Sequence, residues 1–393
     1  MSTNKNRTRT DTIIVAGSLA QKPRYGGHAW VFLQYLLGFR RLGWEVLFLD
    51  RLEPDMCVDA AGQPCGLEQS INLACFLEVM ERFGLAGAYA LFYDRGRRSV
   101  GLSRTDVLER CKRSAFLLNV MGFLSDADIL AAVPQRVFLD IDPGFAQMWR
   151  ALELHDSFAG HDHYVTVGEN IGRPDCTIPT CGLDWITTAQ PVVLDLWRTY
   201  PEQPGNWITS IGAWRGPYGS LEYQGKTYGL RVHEFRKFVS LPRLCGRRFQ
   251  LALDIHSAEV TDLALLEQNG WSMIDPLAAA GDPWRYQSYI RGSRAEFMVA
   301  KNMYVQSNSG WFSDRSICYL ASGRPVLAQD TGIERLYATG EGLLTFSTVD
   351  EARAAVEDLD RDYPKHARAA FSIAEAYFDS NKVLKRLLGK LGV

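Results

Sequence analysis

A chain of 393 residues is too long for one ordinary domain, and two domains are expected. With 47% hydrophobic and 22% charged residues it has the composition of a folded protein rather than a disordered one. Lys+Arg 43 against Asp+Glu 45 leaves a net charge of −2, which argues against a main role in coating nucleic acid. No apolar run reaches the ~18 residues of a membrane span. The polar start, Met1 to Asp11, lacks the apolar core of a signal peptide, so a cytoplasmic protein is expected. The eight cysteines are scattered without a C-x-x-C pair, and they read as reduced thiols rather than as metal ligands.

The first half alternates strand-like and helix-like stretches. Thr12 to Gly17 is a short apolar run ending in glycine, as a buried parallel strand requires. A polar loop and a largely apolar helix, Ala29 to Leu42, follow, and Gly43 ends the helix. Further strands are predicted at Trp44–Leu49, Tyr89–Tyr93, Phe116–Val120, Val137–Ile141 and Tyr164–Val167, with helix-length segments between them. Pro174 to Pro204 is rich in proline and turn residues and reads as the connection between domains.

The alternation then restarts. Strands are predicted at Trp207–Gly212, Phe249–Ile255, Met273–Ile274, Phe297–Ala300, Arg324–Ala328 and Leu343–Phe346, and the end of the chain reads as helical. Two successive doubly wound α/β units place the carboxyl ends of two sheets across a cleft, where open α/β sheets bind ligands.

Several candidate site residues follow. Ser313 and Asp314 open a helix, so its free N–H groups and dipole form a candidate anion site that Arg315 reinforces. The next strand ends in Asp330-Thr331-Gly332, a tight turn at the sheet edge. Gly212 and Arg215 lie in a glycine-rich loop after the second unit's first strand, suited either to a phosphate or to a plain turn. Lys301 ends a strand. In the first unit, Gly26 and Gly27 shape a loop before a helix, and His28 at its start is a candidate general base or a capping residue. Asp140 or Asp142 is the candidate carboxylate orienting it. His161-Asp162-His163 reads as a surface loop, and the basic run from Arg231 to Arg248 as a solvated face or as an attractor of an anionic acceptor or a membrane surface.

Taken together, these stretches resemble GT-B glycosyltransferases. Ser316 to Gly332 is similar to the element by which family-4-type enzymes hold the donor's diphosphate and sugar. The opening Phe312-Ser313-Asp314-Arg315 is closer to the spore-maturation-type branch. Gly340 to Leu344 matches the family's next glycine turn, and Leu42-Gly43-Trp44-Glu45-Val46 its amino-terminal pattern. The resemblance implies an acceptor domain over 1–190, a donor domain over 191–370 and a final helix, 371–393, crossing back. It implies sugar transfer from a nucleoside diphosphate sugar to an acceptor hydroxyl, with no metal or other cofactor. A nucleotide-sugar epimerase or hydrolase, or a non-catalytic nucleotide-sugar binder, are the alternatives. Asp142 with His28 would be catalytic, and Gly212, Arg215, Lys301, Ser313, Asp314, Arg315, Asp330, Thr331 and Gly332 would bind the donor. One departure stands out: Gly310 and Cys318 occupy the positions where many retaining members carry two glutamates, leaving Glu296 and Glu334 as candidate ribose ligands.

Overall fold

The computed structural model describes residues 12–198, 204–216 and 218–393. Its first sheet contains β1 (Thr12–Ala16), β2 (Glu45–Leu52), β3 (Tyr89–Tyr93), β4 (Arg98–Gly101), β5 (Ser114–Val120), β6 (Arg136–Asp140), β7 (His163–Thr166) and β8 (Trp185–Thr187). The order is β4-β3-β2-β1-β5-β6-β7-β8, parallel except for β4. β1 is buried along its whole length, which suits its uninterrupted apolar sequence. β4 is a strand the sequence reading missed. The turn before it places Asp94, Arg95 and Gly96 at positive φ and reverses the chain onto the sheet edge. β8 lies inside the stretch read as a linker, so that segment extends the first sheet before leaving it.

The second sheet contains β9 (Ile208–Ala213), β12 (Phe249–Asp254), β13 (Trp271–Ile274), β14 (Ala295–Met298), β15 (Val326–Gln329) and β16 (Leu343–Phe346). Its order is β13-β12-β9-β14-β15-β16, parallel throughout. A small antiparallel hairpin, β10 (Leu221–Tyr223) with β11 (Lys226–Tyr228), is inserted after β9. In each sheet the order reverses beside one strand, β1 in the first and β9 in the second. Those reversals create the crevices where such sheets take ligands.

The helix Gly26–Arg41 is buried on most faces because it is covered on several sides. Gly38 touches the final helix, Ser380–Lys390: a Cβ on it would meet Leu384 Cδ1 at 2.5 Å. The amino end of Gly26–Arg41 lies on the second unit's helix Pro283–Gly292, and Trp30 Nε1 donates to Pro283 O at 2.9 Å. Each fully buried phenylalanine of this helix, Phe32 and Phe39, contributes roughly 1.5–3 kcal/mol of apolar burial. The chain's end is tied to the first unit by Val192 N to Phe378 O, Ser380 N to Val192 O, and Lys390 Nζ to Thr187 O.

Candidate functional site

The glycines at the first crevice serve packing. Gly26 and Gly27 lie in the first turn of the helix rather than in a loop before it. A Cβ on Gly26 would meet Asp282 O at 2.2 Å, and one on Gly27 the Tyr286 ring at 2.9 Å. Their lack of side chains lets the two units touch here.

His28 Nε2 faces Ser18, with Oγ at 3.1 Å and the backbone O at 3.2 Å, and the ring sits edge-on to Phe32. Burial and then the nearby Lys22 ammonium push its pKa down to about 3, so the ring is neutral. Asp140 and Asp142 do not orient it. Asp140 is buried and accepts from Gln147 Nε2 at 2.6 Å and Thr166 Oγ1 at 2.9 Å. Asp142 accepts from Lys301 Nζ at 2.6 Å and from the Tyr304 hydroxyl, so it bridges the two units. Lys22 feels both Asp142 and Lys301, and burial holds its pKa below the usual lysine value.

On the second unit, Arg215 is taken up by a carboxylate. Its guanidinium forks onto Glu259, Nη2 donating to Oε2 at 2.9 Å, at the exposed start of the helix Val260–Gln268. Trp214 Nε1 donates to the buried Asp262 at 2.8 Å, and Arg236 forks onto the same carboxylate. Gly212 is vacant for a different reason from the one the sequence suggested. A Cβ on it would lie 1.9 Å from Nη1 of Arg231, so the glycine makes room for a guanidinium.

Arg231 opens the helix Arg231–Phe235 just beyond the inserted hairpin. It is half-buried, and burial and the neighbouring Arg315 lower its pKa to about 10. Tyr304, Glu296 and Asp314 are near enough to act on it electrostatically. Among the described residues, no carboxylate forms an ion pair with it and no acceptor takes a hydrogen bond from it. In the sequence Arg231 stands at the head of a basic run, which suits a solvated face or an attractor of anions without singling this residue out. Its place as the first cation after β9 and the hairpin was the available signal.

The helix Asp314–Ala321 begins where predicted, and its start is occupied. Ser313 Oγ accepts from Arg315 N at 3.2 Å. Asp314 and the helix face the first unit, where a space of only about 10 Å³ remains among Trp30, Gln34, Tyr35 and Cys318. Burial raises the Asp314 pKa against the pull of Arg315. Arg315 is buried with Glu296, Nε to Oε1 at 2.5 Å, while Nη2 and Oε2 lack partners. The expected free phosphate fork is therefore a structural ion pair, and Glu296 is closed off as a ribose ligand. The other candidate, Glu334, accepts from Thr345 Oγ1 at 2.7 Å.

Asp330-Thr331-Gly332 forms a turn in which Asp330 Oδ1 accepts from Gly332 N and Ile333 N. Thr331 Oγ1 donates to Trp311 O at 2.6 Å. Asn170 of the first unit donates from Nδ2 to Gly332 O and to Asn308 O, each at 3.1 Å. Gly332 has φ +90, and a Cβ there would strike Asn308 Oδ1 at 2.1 Å. This turn holds the units together. Another bridge is Tyr218, whose ring centroid lies 5.3 Å from Phe145 and 4.9 Å from Trp149.

The structure thus gathers Lys22, His28 and Asp142 with Lys301, Tyr304 and Arg231; Arg315 lies beside Arg231 but is paired with Glu296, and Arg215 is paired with Glu259. His161 is held by Asn119, and Asp162 pairs with Arg136.

No protein-family model and no curated protein sequence matches the chain. Solved structures do. Anabaena Alr3699/HepE in complex with UDP is similar over 98% of this chain and 100% of its own, with TM-score 0.56 and 12% identity. An alpha-glucosyltransferase in complex with UDP and a 13-mer DNA is similar over 98% and 100%, with TM-score 0.60 and 9% identity. A glycosyltransferase from Rickettsia africae ESF-5 is similar over 97% and 98%, with TM-score 0.52 and 13% identity. The chain has the GT-B fold of facing Rossmann-like units.

Proposed function

We propose that the chain is a glycosyltransferase that takes its sugar from a nucleoside diphosphate donor, with the uridine nucleotide the first to test. The observation that carries this reading is Arg231, a half-buried guanidinium without a carboxylate partner among the described residues, beside Gly212 at the second sheet's switch point. A desolvated cation left unpaired is costly, and a diphosphate supplies the missing charge. The solved neighbours holding UDP, and HepE holding UDP-glucose, support the choice of donor.

In this reading Arg231 and Lys301 meet the negative charge that grows on the departing diphosphate. Asp142 holds Lys301 across the crevice. Asp330, Thr331 and Gly332 frame the donor side of the crevice, and Ser313 and Asp314 back it. His28, with Asp142 across the gap, faces the acceptor hydroxyl. A pKa near 3 makes the ring a weak base, so we assign it acceptor positioning ahead of proton removal. The transfer needs no metal in this proposal, because side-chain cations supply the charge. Among the described residues no helix is long and apolar enough to cross a membrane, and we place the reaction in the cytoplasm. The net charge of −2 favours an acceptor other than nucleic acid.

Calorimetric titration of the full chain with UDP tests the donor assignment. Binding that is lost in Arg231→Gln supports it; equal binding by both proteins refutes it. UDP release from a UDP-sugar only when an acceptor is added then separates transfer from hydrolysis or epimerisation, and addition of a chelator tests the metal-free step.

A further inference from the structure

A second charged concavity lies at the opposite edge of the second sheet, where β9, β12 and β14 begin. Asn206, Ile208, Gly246, Arg247, Arg248 and Arg294 enclose about 300 Å³. Gly246, in the left-handed region at φ 61, ends the helix Leu241–Cys245 and leads into the two consecutive arginines. Asp360 on the helix Val349–Arg361 accepts from Arg247 Nε at 2.5 Å and from Arg294 Nη2 at 2.7 Å. The Arg248 guanidinium lies 5.7 Å from the Trp207 ring and has no ion pair among the described residues. Arg353 and Glu357, nearby on the same helix, pair with each other at 3.9 Å. Two guanidiniums therefore share one carboxylate and the third has none, so among the described residues the concavity carries two uncompensated positive charges.

Ligands of open α/β sheets bind at the carboxyl ends of the strands, so this amino-edge pocket is separate from the crevice described above. Guanidinium forks match the oxygens of a phosphoryl group two at a time. The volume admits such a group with a small organic body. We propose that this pocket is a second ligand site, which binds a soluble phosphate dianion, free or as the end group of a small phosphomonoester.

The test titrates the full chain with inorganic phosphate and with glycerol 3-phosphate, and compares wild type with Arg247→Gln, Arg248→Gln and Arg231→Gln. Arg247 and Arg248 are exposed, so the folds should hold, which melting curves check. The expected result is binding that weakens about tenfold or more in each pocket variant and persists in Arg231→Gln. Because the readout is phosphate rather than UDP, failure of the donor assignment leaves this result intact. The proposal is overturned if neither probe binds at millimolar concentration, if the pocket variants bind as wild type does, or if binding disappears in Arg231→Gln. Binding to vesicles containing phosphatidic acid without binding of either soluble probe also overturns it.

Discussion

Nη1 of Arg231 lies 1.9 Å from the point where a Cβ on Gly212 would sit. The two residues are far apart in sequence, and the absence of one side chain sets the position of the other. Gly212→Ala should therefore act on ligand binding more than on folding. The displaced atoms end a flexible side chain, so the melting temperature should change little. UDP affinity should fall about tenfold or more, read by calorimetry. An alanine variant that binds as wild type would remove the link.

Arg231→Gln removes a half-buried cation with no ion-pair partner among the described residues. UDP binding should weaken about ten- to a hundredfold, as expected for losing a charge-assisted contact. Stability without ligand should stay the same or rise, because the cost of desolvating the charge is gone. Denaturant unfolding with and without UDP reads both effects. A marked loss of stability without ligand would mean that the residue holds the fold instead.

Arg315 and Glu296 form a buried pair, and breaking it should cost stability. Arg315→Ala leaves an uncompensated carboxylate and should destabilise by about 3–5 kcal/mol. Arg315→Met combined with Glu296→Gln should recover much of that loss, because no buried charge then remains. Urea unfolding of the single and double variants checks the coupling. If the single variant unfolds like wild type yet loses UDP, the guanidinium serves the ligand after all.

His28 gives a pH dependence with a defined sign. Its folded pKa, about 3, lies below the unfolded value near 6.5, so between those values the unfolded chain binds the extra proton. Its contribution to stability is therefore full above pH 6.5 and is lost as the pH falls toward 3. From pH 6.5 to 5 wild type should lose up to about 2 kcal/mol more than His28→Gln. Parallel unfolding curves for the two proteins over that range would show that the ring titrates normally.

The alternation of apolar strands and helices, and with it the two-sheet architecture, is legible in the chain. Strand cores such as Ile13-Ile14-Val15 must be buried on both faces, and that demand is local. The helix Asp314–Ala321 and β16 were legible to the residue, since a Ser-Asp opening and a buried apolar run mark them. β4 and the hairpin β10–β11 were not, because short exposed strands carry little apolar pattern.

The candidate site divides in the same way. Lys301 and Asp142 could be named from the chain, but their pairing with each other could not. Arg215 and Arg315 looked available because their partners, Glu259 and Glu296, lie 44 and 19 residues away in sequence. Which guanidinium stays unpaired is a question of distance in space, where Coulomb attraction and desolvation act. The folded packing settles it, in favour of Arg231.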